Sequence, residues 1–171
     1  MGKFEKKYRS SEHFFQAAKF SGPNATKEDL EYARYIAESD SPNKARTLAI
    51  QKKARWGKAL HCKEGCSEKK SVNELIDEYK DVAKIRPDWD KVKDEVMLIA
   101  VRSKFSQHDD LRDLLLKTKN RELVEHTHRD SYWADGGEGW DRKKLGTGKN
   151  MLGKTLVKVR EELMTIDELF P

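Results

Sequence analysis

The 171-residue sequence is poor in cysteine, in proline and in long apolar runs. Its two cysteines are too few for a disulfide scaffold and favour a reducing compartment. The longest apolar run covers 96–101, far short of the ~20 residues that a membrane-spanning helix needs, so no membrane partner is expected. The opening residues, MGKFEKK, lack the apolar segment of a secretory signal, which predicts a cytoplasmic location with the nucleus as an alternative. Membrane, collagenous and disulfide-rich classes are excluded.

Charged residues, in contrast, are abundant. They make up 38% of the chain, against 36% hydrophobic residues, and 35 Lys and Arg exceed 30 Asp and Glu to give a net charge of +5. The length is that of one domain, which typically takes ~100–200 residues. Charges of both signs are interspersed, and basic clusters stay as short as 142–144. This pattern is compatible with a phosphate-bearing ligand and equally with an ordinary solubilising surface.

Apolar residues recur at helical spacing along most of the chain. No alternating β-branched run exceeds four or five residues, so a mainly α fold with at most minor β elements is expected. The predicted helices lie at about 12–20 after a cap at Ser10 or Ser11, from Thr26, at 43–55, at 72–84, at 89–105, around Leu111–Leu115, at Leu123–Val124, and over Leu152–Leu163.

Two stretches interrupt this pattern. Residues 58–86 hold both cysteines, many lysines and a weaker helix, and are predicted to be an insertion on the body of the fold. Residues 130–148 carry five glycines in a polar setting, which is typical of a loop.

The first helix places three chemically useful side chains on one face. Glu12, Gln16 and Lys19 are spaced i, i+4 and i+7. A carboxylate, an amide and an amine on one stripe can support acid–base catalysis or a lysine nucleophile. The alternative is structural, because Glu near a helix start and Lys near its end also suit the helix dipole.

Aromatic residues stand next to carboxylates in the irregular segments. Trp89, Trp133 and Trp140 lie beside aspartates, an arrangement that suits stacking on a base or a sugar. The alternative for Trp89 is that it packs at the start of the long helix.

Two further motifs are weak by themselves. The stretch 146–154, GTGKNMLGK, resembles a phosphate-binding turn into a helix N-terminus, although GxxxxGK[ST] and a βαβ context are missing. Cys62 and Cys66 form a Cys-x3-Cys beside His61, but no second Cys/His pair follows at suitable spacing. No metal and no cofactor are therefore expected.

Taken together, the motifs resemble the NADAR, or YbiA-like, family. The first helix is similar to its "SEHYFQAQKF" helix, and further matching motifs follow in order over about 10–164. They are SEHFFQAAKF at 11–20, AVRSKFSQH at 100–108, LLLKT at 114–118, VEHT at 124–127, DSYWADGG at 130–137 and GKNMLGK at 148–154.

The resemblance implies a single compact helical domain over 1–171 and N-glycosidic bond chemistry on ribosylated nucleobases. One activity of the family removes ADP-ribose from guanine in DNA or RNA, reversing a DarT-type modification. The other hydrolyses ribosylamino-pyrimidine phosphates of riboflavin biosynthesis. The long 58–86 stretch and the basic loop after Gly137 favour the polyanionic substrate, whereas the family's opening strand and turn have no counterpart before Ser10.

Residue pattern and resemblance together predict a site for an oxocarbenium-like transition state. A non-catalytic ADP-ribose or NAD reader and a helical interaction protein are the alternatives. The expected catalytic residues are Glu12, Lys19, Asp130 and Lys104, and the expected substrate-binding residues are Gln16, Trp89, Arg102, Trp133, Asp135, Gly136, Gly148 and Asn150.

Overall fold

The structure is a computed structural model that describes residues 8–51, 60–61, 70–138 and 145–169. Within these ranges the regular structure is helical apart from one pair of two-residue strands, which confirms the mainly α prediction. The elements are α1 (Ser11–Ala18), α2 (Lys27–Glu38), α3 (Pro42–Ala49), β1 (Leu60–His61), β2 (Lys70–Ser71), α4 (Val72–Tyr79), α5 (Trp89–Gln107), α6 (Asp109–Leu116) and α7 (Met151–Leu169).

Contacts group the chain into two units, Met1–Val96 and Met97–Pro171. None of the described helices is both long and apolar enough to cross a bilayer.

Side-chain caps fix the helix starts in the first unit. The Ser10 hydroxyl accepts a hydrogen bond from the His13 N–H at the start of α1. Thr26 and Asp29 form a reciprocal capping box on α2, and Ser41 caps α3, which opens on a proline. These caps satisfy N–H groups that the first helical turn leaves unpaired. The starts of α1 and α2 agree with the sequence prediction.

The core of the first unit is built from α1 to α4. Tyr32, Ile36 and Leu48 are fully buried, and the Tyr32 hydroxyl donates a 2.7 Å hydrogen bond to the carbonyl of Leu48. Val72, Leu75, Ile76, Tyr79 and Ala83 belong to the same apolar cluster. The helical part of 58–86 therefore lies in this core. That the stretch is an insertion relative to compact relatives stays a prediction.

In the second unit, α6 and α7 pack against each other. Val159 and Leu163 of α7 and Leu115 of α6 are buried. Arg160 is also buried, and its guanidinium donates to the Thr118 hydroxyl at 2.7 Å and to the Arg121 carbonyl at 2.8 Å. This arginine thereby satisfies carbonyl and hydroxyl groups just past the end of α6.

Three sequence predictions on helix extent need correction. The third helix ends at Ala49 instead of continuing to 55, because Gln51 adopts a left-handed backbone with φ +49°; residues 52–55 lie outside the described part. α4 ends at Tyr79, short of Lys84. Leu123 and Val124 form no helix, because this segment is bonded to residues far along the chain.

Candidate functional site

The predicted face of α1 exists in the first unit. Gln16 is buried and its Nε2 donates a 2.9 Å hydrogen bond to Oε1 of Glu12, one turn earlier. Since a carboxylate can only accept, this bond fixes the orientation of the Gln16 amide. Glu12 itself is half-buried, so its second oxygen can meet a ligand.

The amide oxygen of Gln16 is a buried, unsatisfied hydrogen-bond acceptor within the described residues. This atom, Oε1, is buried and has no hydrogen-bond partner among the residues that the structure describes. Burying an amide oxygen without a partner typically destabilises a fold by ~1–3 kcal/mol. An orphaned acceptor beside a carboxylate is a polar group that a bound ligand can satisfy.

Lys19, the third member of the face, is held against aromatic rings. Its Nζ lies 5.7 Å from the centroid of the Phe15 ring and 5.8 Å from that of Trp89, and the two rings meet edge-on at 5.0 Å. Burial lowers the pKa of the Lys19 amine. The negative charge of Glu12 raises this pKa in part, and the positive charge of Arg46 lowers it further. A lowered pKa increases the fraction of neutral, nucleophilic amine at neutral pH.

His13 lies next to Glu12 in sequence and has a structural role. The buried ring donates from Nε2 to the Ser39 carbonyl at 3.0 Å, and Nδ1 accepts from the Ser10 hydroxyl at 2.8 Å. Both ring nitrogens are therefore satisfied within the fold. The imidazole ties α1 to the segment that precedes α3 and so fixes the position of α1 and of its Glu12–Gln16–Lys19 face.

Arg46 is a feature of this face that the sequence did not reveal. It lies on α3, is exposed, and is close enough to Lys19 for its charge to act on the amine. A single arginine on an amphipathic helix carries no signal by which the sequence could have singled it out.

The second unit holds the predicted loop residues. Oδ1 of Asp130 accepts from the backbone N–H groups of Tyr132 and Trp133, both at 2.8 Å. The half-exposed Trp133 ring meets Tyr132 edge-on at 5.2 Å. Asp130 therefore shapes the turn that presents Trp133. The Asp130 side chain itself is half-exposed.

Asp135 is the centre of a hydrogen-bond network in this loop. Its buried carboxylate accepts from the His126 ring at 2.8 Å and from the backbone N–H groups of Gly137, Gly146 and Thr127 at 3.0, 3.2 and 3.3 Å. The Gly137 N–H, with the other donors, holds the pKa of Asp135 well below its ordinary value. The carboxylate is occupied with organising the loop, so a direct contact with substrate is a less suitable role for it.

The prediction of a phosphate-binding turn at the start of α7 needs correction. The amides of Gly148, Lys149 and Asn150 donate to carbonyls of 131–135, and those of Met151 and Leu152 donate to Tyr132 and Trp133 at 3.0 and 3.1 Å. These N–H groups are already used and do not form an anion cradle. The adjacent groove, of about 480 Å³, has three lysines and two glutamates along it, so its charge is mixed.

The glycines and Asn150 shape this loop. Gly136 has φ +69°, and a Cβ at Gly148 would lie 2.6 Å from the Ala134 carbonyl oxygen. Asn150 has φ +47°; its Nδ2 donates to the Leu123 carbonyl at 2.8 Å and its Oδ1 accepts from the Glu125 N–H at 3.1 Å. In the structure, Gly148 therefore lets its segment approach the Ala134 carbonyl closely, and the Asn150 side chain holds the backbone of Leu123 and Glu125.

Arg102 and Lys104 lie on the exposed side of α5. Arg102 forms a two-point ion pair with Glu162 at 2.7 and 2.8 Å, which raises the pKa of Arg102. Its guanidinium would have to leave Glu162 to bind a diphosphate. Lys104 is exposed and its amine lies 5.4 Å from the ring of Phe105.

The structure thus brings together Glu12, Gln16, Lys19 and Trp89 in the first unit. In the second unit it brings together the loop residues Asp130, Trp133, Asp135, Gly136, Gly148 and Asn150. Cys62, Cys66 and Trp140 lie outside the described residues. Within the described ranges no group of three metal-ligating side chains is found.

Comparison with known proteins identifies the family. The model of the NADAR domain matches residues 2–164. The chain belongs to the NADAR family. The match includes residues of both units.

Two NADAR relatives and one solved structure show the extent of the likeness. "N-glycosidase YbiA" of Escherichia coli strain K12 is 37% identical over 158 residues, covering 92% of this chain and 72% of the relative. "Riboflavin biosynthesis protein VVA0006" of Vibrio vulnificus is 46% identical over 78 residues, covering 46% of this chain and 19% of the relative. The NMR structure of the E. coli protein YbiA matches with a TM-score of 0.65 at 32% identity, over 99% of this chain and 74% of that chain.

Proposed function

We propose that this chain is an N-glycosidase that hydrolyses the bond between C1 of a ribose and a nucleobase nitrogen. The observation that carries the proposal is the Lys19 amine, desolvated against two aromatic rings and aligned with the Glu12–Gln16 pair. The names of two relatives, an N-glycosidase and a riboflavin biosynthesis protein, support the same class of reaction.

Departure of the base leaves positive charge on C1 and on the ring oxygen of the ribose. The Glu12 carboxylate is suited to stabilise this charge or to orient a water molecule, because one oxygen is held by Gln16 and the side chain is half-buried. Asp130 is the alternative carboxylate, but its Oδ1 already accepts two backbone N–H groups.

Lys19 is suited to act as the nucleophile. Its neutral amine attacks C1, and the C1–N bond to the base breaks, with the electron pair leaving on the base nitrogen, which takes up a proton. The sugar ring then opens to a Schiff base on Lys19, and water hydrolyses it to free ribose product and free amine. Lys104 is the second candidate, and it is less suitable because it is exposed.

The remaining predicted contacts follow from ring exposure and from the orphaned amide. Trp89, which lies near Lys19 in the first unit, is half-exposed and can stack on the base or the sugar. Trp133, in the second unit, is also half-exposed and stays a predicted stacking residue. The Gln16 Oε1 atom needs a donor, and a ribose hydroxyl is such a donor.

For the substrate, we favour ADP-ribosyl guanine in DNA or RNA, because the chain is basic overall and such a substrate is polyanionic. The alternative is a ribosylamino-pyrimidine phosphate of riboflavin biosynthesis, which the name of the Vibrio relative favours. A reader that binds ADP-ribose without turnover would leave the desolvated amine of Lys19 without a role.

Product analysis by mass spectrometry tests the proposal. The protein is incubated with an ADP-ribosylated guanine oligonucleotide and, separately, with the ribosylamino-pyrimidine phosphate. Release of ADP-ribose with an unmodified oligonucleotide supports the favoured substrate, and cleavage of the small phosphate alone supports the alternative. Binding without cleavage of either substrate would support the reader instead.

Three variants assign the catalytic roles in the same assay. Glu12→Gln and Lys19→Ala should each abolish turnover, whereas Lys27→Ala, at an exposed lysine of α2, should retain it. Borohydride should trap a covalent adduct on the wild-type protein that is missing in Lys19→Ala. An adduct that persists in Lys19→Ala would move the nucleophile to another lysine, with Lys104 tested next.

A further inference from the structure

Arg46 is an exposed cation on α3, close to the Glu12–Gln16–Lys19 face of α1, and it has no ion-pair partner among the described residues. In the described part of the chain its guanidinium makes no hydrogen bond and no ion pair, although α3 also carries a paired lysine, Lys44, bonded to Asp40. Arg46 acts on the Lys19 amine as a like charge. An anion placed near Lys19 and Arg46 would be stabilised by both positive charges.

The position of Arg46 relative to α1 is fixed by the core. Its neighbours on α3, Ala45, Leu48 and Ala49, are buried, and α3 packs against α1. The 3.0 Å hydrogen bond from His13 Nε2 to the Ser39 carbonyl holds the segment before α3 against α1. The guanidinium therefore extends from a rigid helix, which is the kind of element from which a bound anion is well positioned.

Arg86, another cation near the face, is already paired. Arg86 donates its backbone N–H to the Lys19 carbonyl at 2.8 Å, but its guanidinium forms a two-point pair with Asp88 at 2.6 and 2.7 Å. A role as a helix C-terminal cation also suits Arg46, which lies in the last turn of α3. That role needs a charge but gives no reason for placing it beside Lys19.

We propose that Arg46 binds the phosphate group that the ribose of the substrate carries, and so positions C1 at Lys19. The proposal rests on the proposed function, since it gives that site its anion subsite. A guanidinium suits a phosphate because its planar fork donates two parallel hydrogen bonds to it. The substrates considered above both carry such a phosphate.

Binding of two simple probes tests the proposal without turnover. Ribose 5-phosphate and ribose are titrated against the wild-type protein and followed by NMR or calorimetry. The wild type should prefer ribose 5-phosphate, and Arg46→Ala should lower the affinity for it roughly 10–100-fold with little effect on ribose. Arg46→Lys should fall between the two because it keeps the charge and loses the fork. Arg34→Ala, at an exposed arginine of α2, is the matched control and should bind as the wild type does.

Two results would overturn the inference: a wild-type protein that binds ribose 5-phosphate no better than ribose, or an Arg46→Ala variant that keeps the preference. A kinetic arm then separates the inference from the proposed function. With the phosphorylated substrate and its dephosphorylated analogue, Arg46→Ala should raise KM for the former alone. If the wild type cleaves neither substrate yet binds ribose 5-phosphate through Arg46, the proposed function fails and the anion subsite stands.

Discussion

Buried polar side chains divide into two kinds at the residue scale. His13 and Asp135 have their hydrogen-bonding groups paired within the fold, so they are best explained by structure. Gln16 donates to Glu12, and within the described part of the chain its Oε1 has no partner. Because an unpaired buried group destabilises the free protein, a retained one beside a carboxylate is best explained by function.

Gln16→Met separates these two roles. The variant loses the bond to Glu12, worth ~0.5–1.5 kcal/mol, and also removes an orphaned acceptor that destabilises the fold by ~1–3 kcal/mol. We expect the free energy of unfolding to stay level or to rise by about 1 kcal/mol, while kcat/KM falls roughly 10-fold or more. Denaturant unfolding and steady-state kinetics on one preparation measure both.

Gln51→Met is the control for that variant. Gln51 is half-buried, and its Nε2 donates to the Ala83 carbonyl at 3.1 Å instead of to Glu12. Its substitution should lower stability slightly and leave kcat/KM unchanged. Equal losses of activity in the two variants would show that Gln16 acts through the fold alone.

The lowered pKa of Lys19 predicts how stability depends on pH. Between the lowered pKa and the ordinary value of 10.5, the folded protein binds fewer protons at Lys19 than the unfolded chain does. The stability of the wild type should therefore rise relative to Lys19→Met as pH rises through this window. At pH 7 the variant should be the more stable of the two, while lacking activity.

Denaturant unfolding of the wild type and Lys19→Met, at intervals from pH 7 to pH 10, measures that difference. Lys27→Met removes an exposed lysine from the same unit and serves as the reference for the loss of one charge. A gap between wild type and Lys19→Met that stays constant over the whole range would show that the amine titrates normally.

At the scale of elements, the sequence predicts features that depend on bonds between neighbouring residues, but not those that depend on bonds between residues far apart in the chain. Ser10 and Thr26 predict helix starts because each cap bonds within three residues of itself. The sequence led to a helix at Leu123–Val124, but the carbonyl of Leu123 accepts from Asn150, 27 positions away. In the same way, the amides of 148–152 looked open to a phosphate because their acceptors in 131–135 are contributed by a separate turn.

The candidate site follows the same division. The stripe of Glu12, Gln16 and Lys19 was predictable because helical spacing alone places these residues on one face. Arg46 was not predictable, because its position near Lys19 depends on how α3 packs on α1. Tertiary packing of this kind leaves no periodic signal in the chain.

Gly153 tests the junction between α7 and the 123–125 segment. Alanine normally stabilises a helix by ~1 kcal/mol relative to glycine. At Gly153, however, a Cβ would run into the Leu123 carbonyl oxygen and the Asn150 side chain. We therefore expect Gly153→Ala to destabilise the protein by ~1–3 kcal/mol, measured by denaturant unfolding.

Lys154→Ala is the neighbouring control, because Lys154 is exposed on the same helix turn. This substitution should change the free energy of unfolding by no more than ~0.5 kcal/mol. A Gly153→Ala variant that is as stable as the wild type would mean that the junction can open without loss.

At the scale of the whole molecule, the net charge of +5 favours long-range attraction of anionic substrates. Charges of both signs are spread over the sequence, so attraction to a polyanion comes from the balance and not from a basic tail. A nucleic-acid substrate would release counterions on binding, and a single modified nucleoside would release few.

The salt dependence of turnover therefore tests the favoured substrate. We expect kcat/KM on an ADP-ribosylated single-stranded oligonucleotide to fall between 50 and 200 mM NaCl by about 2.6-fold for each additional phosphate contacted. ADP-ribosylated guanosine presents the same scissile bond without the flanking phosphates, so its kcat/KM should fall less steeply. Equal slopes for the two substrates would mean that the protein acts on the modified nucleoside and makes no use of the strand, which would contradict a nucleic-acid role and favour a small ribosylated nucleotide.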